Sequence, residues 1–349
     1  MNRLSRKRIV STVLMLFALW CVAVLLSVNI GSVSIPLGTS LVLFRDRLFG
    51  RPETGTPAEA ILFAVRLPRV LLGSLVGAAL ASAGTAFQSL LRNPLADPYV
   101  LGVSTGASMG TILYSIAASA GVGILGGSLA YGRPLAAFLG AVLTVAAVYA
   151  VGGRAGRTGE GSQRLLLAGI VLASFLSSIN VFLLTSTNQA DLRGIFYWLI
   201  GDLSRPADAS MYAVAGVVLA GCAVLFLFSH SLNLISMGEE DALALGIEVR
   251  HVKISVYIVA SLITGAVVSV SGPIAYIGLI CPHMGRMIFG GDNRILLPAV
   301  FLFGAIFTVL ADTLARTVLS PAELPIGVIT ALCGAPLFIY LLRKKGGAL

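Results

Sequence analysis

Arg66 and Arg69 stand three residues apart around Leu67-Pro68, a spacing that puts both guanidinium groups on one face of a helix. On residue type alone they read as interfacial anchors at the entry to a long apolar run. Asp312 is the one acid placed deep in such a run. A carboxylate buried in a membrane is costly and is usually paired or functional; Arg316, one turn on, is its evident partner. Three acids, Glu239, Glu240 and Asp241, follow Gly238 and lead into Ala242, Leu243, Ala244, Leu245 and Gly246. Acids in a first turn suit the helix dipole, so residues 238–246 predict a short helix that Gly246 ends, with Ala242, Leu243 and Leu245 free to face a partner. His283, two residues from Cys281 and with no second histidine nearby, reads as structural. The four cysteines lie in apolar segments without CxxC spacing, so neither a metal site nor a disulfide framework is expected. No Gly-Lys pair occurs, so a phosphate-cradling Walker loop is absent.

The elements that position these residues follow from composition. Of 349 residues, 57% are hydrophobic and 11% charged, against roughly 25% charged in soluble domains. An apolar run of about 20 residues spans a bilayer. Ten such spans are predicted, at 9–29, 68–91, 99–118, 134–152, 165–186, 209–229, 253–271, 275–289, 295–315 and 325–342. The first is read as a retained span, because its apolar run outlasts a signal core and no small-x-small cleavage site follows. The net charge of +9 reflects basic residues flanking spans, which points to topology and not to nucleic acid. With both termini cytoplasmic, fifteen Lys and Arg fall inside and nine outside, as the positive-inside rule asks. Arg66, Arg69 and Arg316 are then external.

That orientation leaves residues 31–65 as a polar external loop. Residues 187–208 are external too, and their apolar, aromatic stretch 195–200 predicts a short helix at the outer interface, where Tyr and Trp settle. Residues 231–252 form the largest cytoplasmic loop. The chain is otherwise one polytopic domain, 1–349. Gly77-Ala78 with Gly84 recurs as Gly265-Ala266 with Gly272, in spans of opposite direction; this is either an inverted repeat, as in many transporters, or chance in a glycine-rich chain.

The stretch RLPRVLLGSLVGAALASAGTAFQSLLRNPLADPYVLGVSTGAS (66–108) resembles the FecCD family of permeases, membrane subunits of ABC importers for ferric siderophores, haem and cobalamin. GEEDALALG (238–246), GPIAYIGLICPHMGR (272–286) followed by Asp292-Asn293-Arg294, and the run from Asp312 through ELPIG (323–327) to Gly334-Ala335-Pro336 extend the likeness over nearly the whole chain. The resemblance implies an all-α membrane protein of about ten transmembrane helices per subunit, acting in the bacterial cytoplasmic membrane among lipid. The implied partners are a second copy of itself, two ATPase subunits and an extracytoplasmic substrate-binding protein. No cofactor is expected on this chain, with ATP-Mg in the partner subunit, and no enzymatic activity of its own.

Carried over residue by residue, the resemblance gives three sites. Gly238, Glu239, Glu240, Asp241, Ala242, Leu245 and Gly246 match the segment that sits in a cleft of the ATPase. Arg66, Arg69 and Arg316 match positions that pair with acidic residues of the binding protein. Ser162 and Gln163 match the inner gate, Asn93 and Leu95 a second constriction, and the fifth span, with Ser174 and Ser178, lines the path. Gln163 departs from the small-hydroxyl gate pair of relatives, which puts the gate's dimensions in doubt. The implied cargo is a metal chelate, a ferric siderophore first, then cobalamin or haem. A secondary, ion-coupled transporter is the competing class, and Asp312 is its only intramembrane acid. With no HExxH and no paired membrane aspartates, an intramembrane enzyme is not expected.

Overall fold

The computed structural model describes residues 6–31, 33–51, 55–120, 129–153, 161–187, 189–205 and 208–345. All regular structure among them is helical: α1 (Arg6–Asn29), α2 (Leu37–Leu48), α3 (Pro57–Ala60), α4 (Leu67–Leu90), α5 (Val103–Ser119), α6 (Leu129–Gly152), α7 (Gly161–Thr185), α8 (Gln189–Ile200), α9 (Ala209–Leu227), α10 (Ser229–Met237), α11 (Glu239–Ala244), α12 (Val249–Ser271), α13 (Ile277–Phe289), α14 (Asn293–Thr317) and α15 (Ile326–Lys345). A π-helical turn, Ile61–Arg66, joins α3 to α4, and a 3-10 turn, Pro98–Leu101, precedes α5.

Among the described residues, seven helices are long and apolar enough to cross a membrane: α1, the run from α3 through α4, α6, α7, α9, α12 and α14. The count of ten spans is therefore not met by length alone. The expected span 275–289 begins only at Ile277, after Tyr276 at φ 71, and α13 has 13 residues. At 1.5 Å per residue it covers about 20 Å of a hydrocarbon core of about 30 Å. The expected span 99–118 loses its first residues to the 3-10 turn and to Gly102 at φ 75, leaving α5 with 17. The two irregular segments meet: the Ile274 amide donates to Tyr99 Oη at 3.1 Å. Leu101 and Ile274 are buried, so this backbone is enclosed by protein, the condition for irregular chain between spans.

The layers follow from how much of each helix is enclosed. In the helix that ends in α4, 89% of the most apolar window is buried, and in α12 72%, against 11% in α1, 17% in α7 and 22% in α9. Thus α4 and α12 form the centre, and α1, α7 and α9 present side chains outward. Small residues let α4 sit there. A Cβ on Gly77 would lie 2.1 Å from the Gly304 carbonyl oxygen, and one on Gly84 would lie 1.9 Å from that of Gly278. Backbone-to-backbone contact of this kind is how helices associate where hydrocarbon removes the hydrophobic drive. The two glycine sets sit in different surroundings. Gly77 packs α4 on α14, as Gly265 packs α12 near Ala141 of α6. Gly84, however, lies inside its helix, and Gly272, at φ 66, ends one.

Two expected loops carry structure. Residues 37–48 of the external loop form α2, which buries Ser40 and Leu43. The stretch 231–252 is mostly helix, being the body of α10, all of α11 and the start of α12. Gly77→Leu is expected to force α4 off α14 and to abolish recovery of monodisperse protein in detergent, whereas Gly216→Ala on α9, with open space around its Cβ position, leaves recovery unchanged. Size-exclusion profiles of the two variants check this.

Candidate functional site

The π-helical turn delivers Arg66 at its last residue, and α4 presents Arg69 one turn later. Both point into the protein. Arg66, Arg69 and Arg316 are 4%, 7% and 4% exposed, and Asp312 is 2% exposed. Arg69 grips Asp312 from α14: its Nε donates to both carboxylate oxygens at 3.0 Å and its Nη2 to Oδ1 at 2.9 Å. Arg69 Nη1 donates to Glu323 Oε2 at 2.7 Å and to Ser204 Oγ at 2.9 Å. Arg316 Nε lies 3.0 Å from Asp312 Oδ2, an ion pair without hydrogen-bond geometry. Two guanidinium groups thus face two carboxylates. A cavity of about 140 Å³ opens beside them, edged by Tyr197, Ser204 and Glu323.

The same arginines hold the end of α1. Arg66 Nη1 donates to the carbonyls of Val28 (2.8 Å) and Asn29 (3.1 Å), and its Nη2 to that of Val33. Arg316 Nη2 donates to the Ser27 carbonyl at 3.1 Å and to Ser27 Oγ at 2.8 Å. The last carbonyls of a helix lack intrahelical donors, and cations there also meet the negative end of the dipole. Since α1 buries little apolar surface, these bonds and the Trp20 Nε1 donation to Ser74 Oγ at 3.0 Å are its polar moorings.

In the single chain, the three arginines expected at a docking rim are desolvated and engaged by carboxylates and backbone carbonyls. The i,i+4 partner assigned to Asp312 is present, but Arg69, 243 residues away, makes the hydrogen bonds.

At the other end, α11 is capped by Gly238 and ended by Gly246 at φ 82. Glu239 pairs with Lys253 of α12, which fixes the helix to its neighbour, while Glu240 and Asp241 are exposed. Ala242 is fully buried, whereas Leu243, Leu245 and Met237 are 59%, 64% and 65% exposed. Ala242 thus packs into the chain's own core, and the outward apolar contacts are Leu243, Leu245 and Met237. Sequence reading missed the clasp behind them. Asn233 of α10 donates to Asp292 Oδ1 at 2.7 Å, and its Oδ1 accepts the Asn293 amide at 2.7 Å. Hydrogen bonds from Arg294 hold the Asp292 carboxyl down at about 2, so it stays ionised throughout the physiological range. The only sequence signal was Asp-Asn, favoured at helix N-caps.

On α7, Ser174 and Ser178 are exposed and bond back to the carbonyls of Ile170 and Ser174. Asn180 is buried and donates to the Thr105 carbonyl at 3.1 Å, tying α7 to α5. Gln163 is exposed at the start of α7; the side chain of Ser162 lies outside the described residues. Leu95 is exposed, and Asn93 Oδ1 accepts the Leu95 amide at 2.9 Å. The following 3-10 turn packs on α7, where a Cβ on Gly169 would lie 2.4 Å from the Val100 carbonyl oxygen.

Among the described residues no group of three His, Cys, Asp or Glu is placed to hold a metal ion. Residues 102–106, GVSTG, spell the GxSxG of a nucleophile elbow. That device needs a strand before the serine, and Ser104 instead lies in the first turn of α5, after a 3-10 turn.

A helical bundle with several membrane-length helices, charges paired internally and a short exposed helix on one connection is the architecture of a polytopic membrane protein. The chain belongs to the FecCD transport family, which it matches over residues 18–344. It is 38% identical to an uncharacterized ABC transporter permease protein, YvrB, of Bacillus subtilis, over 95% of this chain and 93% of that one. It is 40% identical to the cobalamin import system permease protein BtuC of Halobacterium salinarum (85% and 76% covered) and 37% identical to the hemin transport system permease protein HmuU of Yersinia pestis (80% and 82%). A solved structure of a metal-chelate type ABC transporter in an inward-facing conformation superposes with a TM-score of 0.81 at 30% identity, covering 95% of this chain and 98% of that one.

Asp312→Ala removes the carboxylate held between two desolvated guanidinium groups, leaving Arg69 only Glu323 as its anion, and is expected to cost about 3–5 kcal/mol, read as a lower unfolding temperature in detergent. Glu323→Ala, at a side chain 42% exposed, is expected to cost no more than about 1 kcal/mol. The double reversal Arg66→Glu with Arg69→Glu is expected to remove folded protein from the membrane, which a membrane-fraction immunoblot reads directly.

Proposed function

We propose that the chain is the permease half of an ATP-driven importer that carries a metal chelate into the cytoplasm, working as a pair of identical subunits with two separate ATPase subunits and an external binding protein. The observation that carries this reading is α11: an amphipathic helix of six residues anchored by Ala242 and the Glu239–Lys253 pair, with Leu243 and Leu245 bare beside Glu240 and Asp241. Apolar side chains this exposed on a rigidly mounted peg suit insertion into a cleft of a partner, and a chain without a Walker loop needs its hydrolysis done elsewhere.

The cargo reading rests on chemistry that is weak by design. Residues 165–186 contain no ionisable side chain, and α7 turns Ser174, Ser178, Phe175 and Phe182 outward. Such a surface gives a large, preassembled chelate only modest contacts, so it is not held back in transit. A second copy facing that surface would enclose the path. Ferric siderophores come first, with cobalamin and haem as alternatives, in keeping with what the relatives are named for. Ion coupling is the poorer reading, because the one intramembrane acid, Asp312, is already clamped between Arg69 and Arg316.

The test is reconstitution. Uptake of a panel of ferric siderophores, cobalamin and haem is measured in proteoliposomes holding the complete transporter; ATP-independent uptake driven by a proton or sodium gradient would overturn the reading. Leu243→Asp with Leu245→Asp is expected to abolish co-purification of the ATPase and uptake, with the unfolding temperature of the permease unchanged because both side chains are already in water. The purified chain alone is expected to hydrolyse no ATP.

A further inference from the structure

Between α6 and α12 lies a cavity of about 270 Å³, apart from the Arg69–Asp312 cluster, from α11 and from the exposed face of α7. We propose that it is a binding site for a lipid-soluble ring bearing a carbonyl oxygen, of the quinone class, which enters from the bilayer. Its lining is apolar and aromatic except for Ser261. That residue is 4% exposed, and its Oγ has no hydrogen-bond partner. The other buried serines and threonine of α12 bond back to their own helix. Thr264 donates to the Ala260 carbonyl and Ser269 to that of Ala266, both at 2.7 Å, and Ser271 to that of Val267 at 2.9 Å. Ser261 departs from that pattern at the position that lines the cavity. A buried hydroxyl without a partner keeps the full cost of leaving water, and a carbonyl oxygen in the cavity would accept from it.

The walls favour a ring over a chain. Tyr149 and Tyr257 stand together in the lining, with ring centroids 5.5 Å apart and planes inclined by 47°. The Tyr257 hydroxyl already donates to the Val145 carbonyl at 3.2 Å, so Tyr257 offers the cavity its ring. Aromatic rings favour offset or edge contact with a further ring. Depth excludes a phospholipid's own oxygens. Ser261 lies about 18 Å from the start of α12 and about 15 Å from its end, in a helix of 23 residues. Its hydroxyl is therefore near the middle of a hydrocarbon core of about 30 Å, away from the ester and phosphate oxygens at either interface. An acyl chain could fill the groove but would bring no acceptor. Ala146 of α6 and Ile258 of α12 are exposed at the mouth, so an isoprenoid tail can leave sideways into lipid. A volume just below the usual range of small-molecule pockets, about 300–1,000 Å³, suits the ring alone with its tail outside. The inference shares only membrane placement with the proposed function and requires no particular cargo.

The full chain, in phosphatidylcholine nanodiscs, is photolabelled with an azido derivative of a short-chain ubiquinone, and the labelled peptides are mapped by mass spectrometry. Saturable label is expected within 142–149 and 254–262, displaced by decylubiquinone and not by oleic acid. Ser261→Ala is expected to raise the half-saturating concentration about three- to tenfold, as loss of one neutral hydrogen bond implies. Ala146→Phe fills the mouth from an exposed position and is expected to abolish label there with the unfolding temperature unchanged. Label spread evenly over the lipid-facing helices, displacement by oleic acid, or a Ser261→Ala chain that labels like the parent overturns the proposal. None of these readouts involves ATP or uptake, so this inference and the importer reading fail separately.

Discussion

The burial of Asp312 is the constraint on which this end of the protein depends. A carboxylate at 2% exposure among apolar helices is sustainable only with its charge matched and its oxygens hydrogen-bonded. Arg69 and Arg316 match it, and each brings a further element with it. Arg69 draws in Ser204 and Glu323 from two connections, and Arg316 reaches the end of α1, where Arg66 reaches too. Five chain segments are thereby bound by one charge cluster. No single bond in it is strong once desolvation is counted, but removing any one charge strands the others.

The second constraint is steric and acts at the centre. With hydrogen replacing a side chain at Gly77 and Gly84, α4 touches the backbones of α14 and α13 directly. A helix enclosed on all sides leaves the lower-burial helices to make the boundary. That is why α7 carries its serines and phenylalanines outward: its inner face is spent on α5, through Asn180, and on the 3-10 turn, at Gly169. The turn and the 272–276 segment in turn satisfy each other through Tyr99 and Ile274, which lets α13 stop short.

Much of this was legible in the sequence, and what was not shares one physical cause. Apolar runs, the acidic start of α11 and the glycine at its end act over a few residues, so α4, α7, α9, α12 and α14 lie close to where hydropathy puts them. Partner choice acts over hundreds of residues. Nothing local says that Asp312 prefers Arg69 to the arginine one turn away; the preference comes from α4 and α14 crossing at Gly77 and Gly304. Ala242 was misjudged because a helix of under two turns takes its buried side from the surface it lands on, here Val249 and Val252 of α12, and not from a periodic pattern. The shortness of α13 was hidden by composition, since residues 272–276 are as apolar as a helix and differ only in backbone conformation.

The two ends of the molecule meet in α14. Its first residues are clasped to α10 through Asn233, Asp292 and Asn293, directly before α11, and its last two turns hold Asp312 and Arg316. Twenty-five residues of helix span about 37 Å, so one rod links the α11 end to the charge cluster at the other end. Along the way it is seated on α4 at a glycine contact that leaves no room for rotation without separating the two backbones. A displacement of α11 would therefore have two outlets. Either the Asn233–Asp292 clasp opens and the push is absorbed locally, or α14 moves with α4 as a unit and carries the end of α1 with it. The clasp favours the second, since Asp292, ionised and held by Asn233 and Arg294 together, would lose charge-assisted bonds if it let go. Stiff pairing at both ends with close packing between them makes α14 a rigid connection between α11 and the Asp312 cluster.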